Sequence, residues 1–406
     1  MTLKKLLPCI LIAFATSAFA QDTTTKVKLY GYVGNDFFYN SRQNVEMVDG
    51  IIQLFPKPIE LSAGVDKNAM AQAEMISVNT RLGIDISSAP ILGAKSTGKI
   101  EADFAGFGTS YYVFRIRQAY MKLNWDKTEL LIGQTWHPLF GSVAPSTFAA
   151  NGGAPFQPFN RSPQLRLKQA LTSTLSFTAA AVYEMQYASQ GPQGTSSLYM
   201  KNALAPDLFV GLENKTKHWI TGAGIDFKTI KPDIKQISSL SAAAYAQYSK
   251  SKLLLKAKIV YGENLSDQLM LGGYGVSKYA ADSTTVLSYT NFKNVSSWVN
   301  AAYGTKLQVG VLLGLSQNLG TADMLALRKG GKYTAYGYGY YDTAQQIVDH
   351  LYRVVPQVSY NLPNVRFGLE YDFTTASYGN VQSDGTAVNL YSVNNHRILA
   401  SVMYIF

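Results

Sequence analysis

Hydrophobic and polar residues alternate along most of this chain. Between Lys26 and Tyr39 the odd positions open with Val27, Leu29, Gly31 and Val33, while the even ones include Lys26, Lys28, Tyr30, Tyr32 and Asp36. A period of two gives a strand one apolar and one polar face. The pattern recurs. Ile76, Val78, Leu82, Ile84 and Ile86 fall on one face, with Asn79, Arg81 and Asp85 on the other. Leu175, Phe177, Ala179, Ala181 and Tyr183 alternate with Ser176, Thr178 and Glu184, and Leu253, Leu255, Ala257 and Ile259 with Lys256 and Lys258. Val365, Phe367, Leu369, Tyr371 and Phe373 alternate with Arg366, Glu370 and Asp372. About 16 such segments can be marked, or roughly 24 residues per strand with its connection, which suits a barrel of about 16 to 18 strands.

The connections alternate in length. Asn124 to Thr128, Ser249 to Ser251, Gly304-Thr305 and Leu362-Pro363-Asn364 read as tight turns. Residues 40–75, 137–163, 187–206, 263–290, 317–348 and 378–393 read as long loops. Short periplasmic turns and long extracellular loops mark a transmembrane antiparallel β-barrel, so the fold class expected is all-β. One segment breaks phase. Arg115 and Arg117 share a face, yet downstream the polar face is Tyr120, Lys122 and Asn124, so a β-bulge is expected near Gln118.

The two ends of the chain agree with this. Lys4 and Lys5 precede an apolar run, Leu6 to Ala15, that is too short to span a bilayer, and Ala18-Phe19-Ala20 forms a cleavage pattern. Residues 1–20 are therefore expected to be a cleaved signal peptide, leaving 21–406 as one barrel domain. Cys9 lies inside that signal with Pro8 before it, so no lipid anchor or disulfide is expected in the mature protein. At the other end Ile398, Ala400, Val402, Tyr404 and Phe406 share a face opposite Arg397, Ser401 and Met403. An alternating strand ending in Phe406 resembles the signal read by the barrel-assembly machinery of Gram-negative bacteria, so the outer membrane and its lipid are the expected setting. Composition fits. Charged residues make up 15%, against about 25% in soluble domains. The 27 tyrosines and 33 glycines suit aromatic girdles and tight turns.

Catalytic chemistry is thin. His137, His218, His350 and His396 are scattered with no paired ligand spacing, and no nucleophile elbow or phosphate-binding glycine loop occurs. No catalytic residue, metal, cofactor or nucleic-acid partner is expected. The run Tyr336 to Tyr341 reads as loop packing or part of a girdle.

The basic residues are the informative ones. Loss of Lys4 and Lys5 takes the net charge from +10 to +8. If the apolar face meets lipid, Arg81, Arg115, Arg117, Arg166, Lys168, Arg353, Arg366 and Arg397 project into the lumen, joined by Lys99, Lys256 and Lys258. A charge on the lipid face would cost about 2–4 kcal/mol at midplane. Arg and Lys lining a pore favour anions, and a guanidinium fork matches a carboxylate. Glu101 and Asp103 fall on the strand between Arg81 and Arg115/Arg117, so cross-strand pairing is the competing use for those charges. Residues 137–163, rich in Gly, Pro and Phe and nearly uncharged until Arg161, could fold inward and narrow the pore.

The chain resembles the DcaP-like trimeric porin family. The resemblance rests on Thr80-Arg81-Leu82-Gly83, Lys99 to Phe104, Phe114 to Tyr120, Gly133-Gln134-Thr135-Trp136, the Pro-Asp-Leu within Asn202 to Leu208, and Arg366 to Tyr371. It implies a 16-stranded homotrimer passing small anions, dicarboxylates included, with Arg81, Arg115 and Arg117 at the constriction. Members often carry an N-terminal periplasmic coiled coil. Here the first strand is expected within about six residues of the cleavage site, so a trimer would rest on barrel-wall contacts. The expected function is an anion-preferring outer-membrane diffusion porin. The alternative is a closed structural or ligand-binding barrel that works through its outer loops.

Overall fold

The computed structural model describes residues 25–48, 50–106, 110 and 113–406. The expected signal peptide lies outside the described residues. Alternating segments become strands in chain order: β1 (Lys26–Asn40), β2 (Arg81–Ser87), β3 (Lys95–Asp103), β4 (Arg115–Asn124), β5 (Thr128–Trp136), β6 (Arg161–Ala170), β7 (Leu175–Val182) and β8 (Asp207–Lys215). They continue as β9 (Trp219–Ile230), β10 (Ile237–Lys250), β11 (Leu253–Glu263), β12 (Val286–Gly304), β13 (Leu307–Thr321), β14 (Gln346–Asn361), β15 (Val365–Val381) and β16 (Ala387–Ile405). Each pairs antiparallel with its chain neighbours, and the sheet closes into a 16-stranded barrel. Closure matters in lipid because an open edge would leave backbone groups without partners. The seam runs from Tyr32↔Ile405 to Asn40↔Arg397. It ends where Gly31 and Phe406 exchange two backbone hydrogen bonds of 3.1 Å.

The predicted faces hold over most strands. Leu165, Ile259, Val299, Leu369 and Tyr404 are exposed on the outside, while Lys258, Glu370, Asp372 and Arg397 are buried inside. The bulge sits where the phase break places it. Glu101 pairs with Gln118 and the next residue, Ala102, with Ile116, so Arg117 is the extra residue.

Two expectations need correction. The face running Ile76–Val78–Leu82 is not continuous. A strand at Gln72–Ile76 pairs with β1, then a turn closed by Thr80 N–H to Ser77 O (3.1 Å) separates it from β2. Ile76 and Val78 are buried in an internal core, whereas Leu82 faces outward. Nor is 378–393 a long loop. β15 and β16 continue as a paired hairpin, Tyr378↔Tyr391 and Val381↔Ala387, leaving 382–386 as the connection. Strand structure also claims parts of the other expected loops, among them 317–348, where β13 reaches Thr321, and 263–290, where a strand at Gly272–Tyr279 pairs with β12.

The largest apolar core lies inside the barrel. Two connections fold inward to build it. One is the hairpin Asn44–Met47/Ile52–Pro56; the other is residues 137–160. Leu54, Phe55, Phe148 and Phe156 pack on inward-facing Trp298, Leu312, Leu351, Val355 and Leu399. The strands beneath the loops therefore carry apolar residues on both faces.

Candidate functional site

The loop 137–160 leaves the end of β5 and crosses to the far wall. The side chains that hold it are on β11, β12, β14 and β15. Lys258 Nζ donates to Phe140 O, and Lys256 Nζ to Ala144 O and Ser146 Oγ, both at 2.9 Å. Trp298 Nε1 donates to Gln157 Oε1 at 2.9 Å, and Gln357 Nε2 to Ser146 O. Ser146 N–H donates to Asn300 Oδ1 at 3.0 Å, and Phe148 N–H to Glu370 Oε2 at 2.8 Å. Glycine makes room for the aromatic rings. A Cβ on Gly368 would stand 2.1 Å from Phe148, and one on Gly314 2.7 Å from Phe156.

Three of the expected pore arginines serve these loops. Arg353, 1% exposed, donates to Ala154 O (2.9 Å), Leu54 O (2.6 Å) and Thr374 Oγ1 (2.7 Å), and pairs with Asp372 at 3.2 Å. It thus bonds both inward segments at once. Arg397 donates to Gly50 O at 3.0 Å and lies 4.2 Å above the Phe38 ring. Arg366 lies 4.4 Å above the Phe148 ring. Lys256 and Lys258, also expected to face the pore, are the loop anchors just described.

The basic residues of β2–β6 are on the other side of the lumen. Arg115 grips Asp103 with two hydrogen bonds, 2.9 and 2.8 Å. Arg117 bridges Glu101 (2.9 Å) and Asp103 (2.7 Å). Both are the expected cross-strand pairs. Arg81 is less committed. Its Nη1 is 3.9 Å from Glu101, its Nε has no hydrogen-bond partner among the described residues, and its guanidinium lies 5.2 Å from the Tyr32 ring centroid. Lys99 is neutralised by Asp85 at 2.8 Å. Three guanidinium groups therefore face two carboxylates here, an excess of one positive charge.

A second basic cluster lies nearer the short-turn end. Lys122 pairs with Glu129 at 3.0 Å and Lys168 with Glu213 at 3.1 Å. Arg166 bonds only neutral oxygens, Gln164 Oε1 (2.8 Å) and Trp136 O (2.5 Å). Lys122, Glu129, Arg166, Lys168 and Glu213 line a cavity of about 250 Å³ together with Trp136, His137 and Tyr245. A larger cavity, about 570 Å³, opens at the loop end and is lined by Arg115, Gln186, Tyr187, Thr195, Ser196 and Tyr338 among others. Arg161 is fully buried among Trp136, Phe159 and Tyr187, with Nη2 donating to Tyr187 Oη at 2.9 Å and two of its nitrogens unpartnered.

Sequence reasoning did not single out Arg161, Lys122 or Glu213. Glu213 reaches Lys168 only because β6 and β8 flank β7, a register that no short motif reveals.

No protein-family model matches the chain, and no curated protein matches it in sequence. Solved structures do match in fold. The outer membrane channel DcaP of Acinetobacter baumannii superposes with a TM-score of 0.68 at 20% identity, over 94% of this chain and 97% of that one. An anion-selective porin from Comamonas acidovorans gives 0.54 at 9% identity, over 94% and 100%. OmpT of Vibrio cholerae in its trimer form gives 0.52 at 12%, over 94% and 99%. The chain has the 16-stranded porin fold, and it is similar to DcaP over nearly its whole length.

Proposed function

We propose that this protein is an outer-membrane diffusion porin for small hydrophilic solutes that prefers anions such as dicarboxylates. The observation that carries the reading is charge imbalance along the free side of the lumen. The upper cluster holds Arg81, Arg115 and Arg117 against Glu101 and Asp103, and the lower one Lys122, Arg166 and Lys168 against Glu129 and Glu213. Each keeps one uncompensated cation, carried by Arg81 and Arg166. In a narrow, low-dielectric passage an excess of one charge raises the local concentration of counter-ions. Arg353 and Arg397 take no direct part, since both are buried under the loops. The Comamonas neighbour is described as anion-selective and the Vibrio one as a trimer. These likenesses favour the same properties here, with a homotrimer in the outer membrane of a Gram-negative bacterium.

One observation favours the closed-barrel alternative. The inward loops bury Leu54, Phe55 and Phe156 completely, so much of the lumen is solid. Liposome swelling separates the two. Vesicles carrying the protein should swell faster in a small dicarboxylate than in a diamine of equal size. Swelling in neither would establish a closed barrel, and faster entry of the diamine would overturn the anion preference.

A further inference from the structure

At the root of the inward loop three ionisable side chains from separate elements converge. His137 follows β5 and caps the turn Pro138–Phe140, Asp207 opens β8, and Asp226 lies in β9. His137 Nε2 is 3.8 Å from Asp207 Oδ2 and 3.7 Å from Asp226 Oδ1. One donor atom from each residue lies within 4.8 Å of the other two. The three residues are 1%, 1% and 5% exposed. Even so, His137 Nε2, Asp207 Oδ1 and Asp226 Oδ1 have no hydrogen-bond partner among the described residues. Buried polar atoms are nearly always paired, so three orphans in one cluster need a reason.

The surrounding charge supplies one. Glu184, Asp267 and Lys228 are buried beside the trio and act on it electrostatically. Glu184 is taken by Ser189, whose N–H and Oγ donate at 3.0 and 2.7 Å. Lys228 is spent on Asp267 and on Asn264 O at 2.7 Å. Arg166, which also faces His137, bonds Gln164 and Trp136. Four carboxylates thus share one buried ammonium, and the two left without partners are those facing His137.

We propose that His137, Asp207 and Asp226 bind a divalent transition-metal ion of the zinc class, pinning the root of the 137–160 loop to β8 and β9. One imidazole nitrogen with two carboxylate oxygens is a donor set zinc accepts, with water completing the shell. Donors about 2.0–2.2 Å from a tetrahedral ion stand about 3.3–3.6 Å apart, so the two imidazole–carboxylate spacings close by a few tenths of an ångström, while the widest donor separation, up to 4.8 Å, closes by about one. His137 lines the 250 Å³ cavity, which gives an entry path. Leu139 N–H donates to His137 Nδ1 at 3.2 Å, which keeps the ring proton on Nε2. Binding moves that proton to Nδ1 and gives up the Leu139 bond, so loading reshapes the first turn of the loop.

The test uses an untagged full-length barrel in which His218, His350 and His396 are replaced by Gln, leaving His137 as the sole imidazole. After chelation and reloading with Zn²⁺ alone, elemental analysis should find one zinc per chain. X-ray absorption should show one imidazole nitrogen in its shell. Asp207→Asn with Asp226→Asn should abolish retention. Absence of bound zinc, or a zinc shell without imidazole, would overturn the proposal. So would equal retention by a folded double variant. Should that variant not fold, the absorption result on the folded histidine-reduced chain still decides.

Discussion

Arg81 on β2 and Arg115 and Arg117 on β4 project from either side of β3 into one cluster but do different work. The latter two saturate Glu101 and Asp103, whereas Arg81 sits at 3.9 Å with a free Nε. Their loss should be graded. Arg81→Gln takes the cluster from one positive charge to neutral, so the chloride-to-potassium permeability ratio should fall toward unity. Arg115→Ala with Arg117→Ala leaves it one negative, so the ratio should drop below that of Arg81→Gln. An unchanged ratio in both would mean the arginines only brace the wall. The double variant also strips Asp103 of both its ionic partners, a loss of about 3–5 kcal/mol for a buried charge. The barrel should still fold, with a lowered thermal midpoint. Alternation alone placed these residues on the inner face, and their spacing from Glu101 and Asp103 pointed to the pairs. Alternation says in or out; it does not say what covers a residue. Arg353 and Arg397 read like the others in the sequence, yet loop backbone sits on them.

The inward loop is the element that decides how much lumen is left. Its seat depends on missing side chains as well as present ones. Gly368→Leu puts atoms where Phe148 lies, because even a Cβ would be 2.1 Å away. The loop should lift at that point and single-channel conductance should rise; unchanged conductance would show that Phe148 does not hold the constriction. Arg353→Met removes bonds to both Ala154 O and Leu54 O and leaves Asp372 buried. It should cost about 3–5 kcal/mol and expose residues 44–56 and 137–160 to protease in folded protein. The Gly-, Pro- and Phe-rich composition marked 137–163 as able to fold inward. Nothing local marked the hairpin at 44–56, because its partners Tyr378 and Arg397 are more than three hundred residues away. The alternation also misled at 378–393, where polar residues face a barrel extension and read as loop.

Strand number and closure were legible because every lipid-exposed strand must repeat the same two-residue rhythm. The seam carries the consequence. Phe406 exchanges both backbone hydrogen bonds with Gly31, so deleting it opens an edge next to lipid. The folded yield into vesicles, read from heat-modifiable gel mobility, should fall; a full yield would show the seam does not need its last rung. A homotrimer predicts a detergent particle holding three chains by native mass spectrometry. Net positive charge on the open side of this lumen is the property on which the proposed function turns. It is tested most directly by the zero-current potential of single channels under a potassium chloride gradient. The expected sign is the one set by chloride. The sign set by potassium would contradict it.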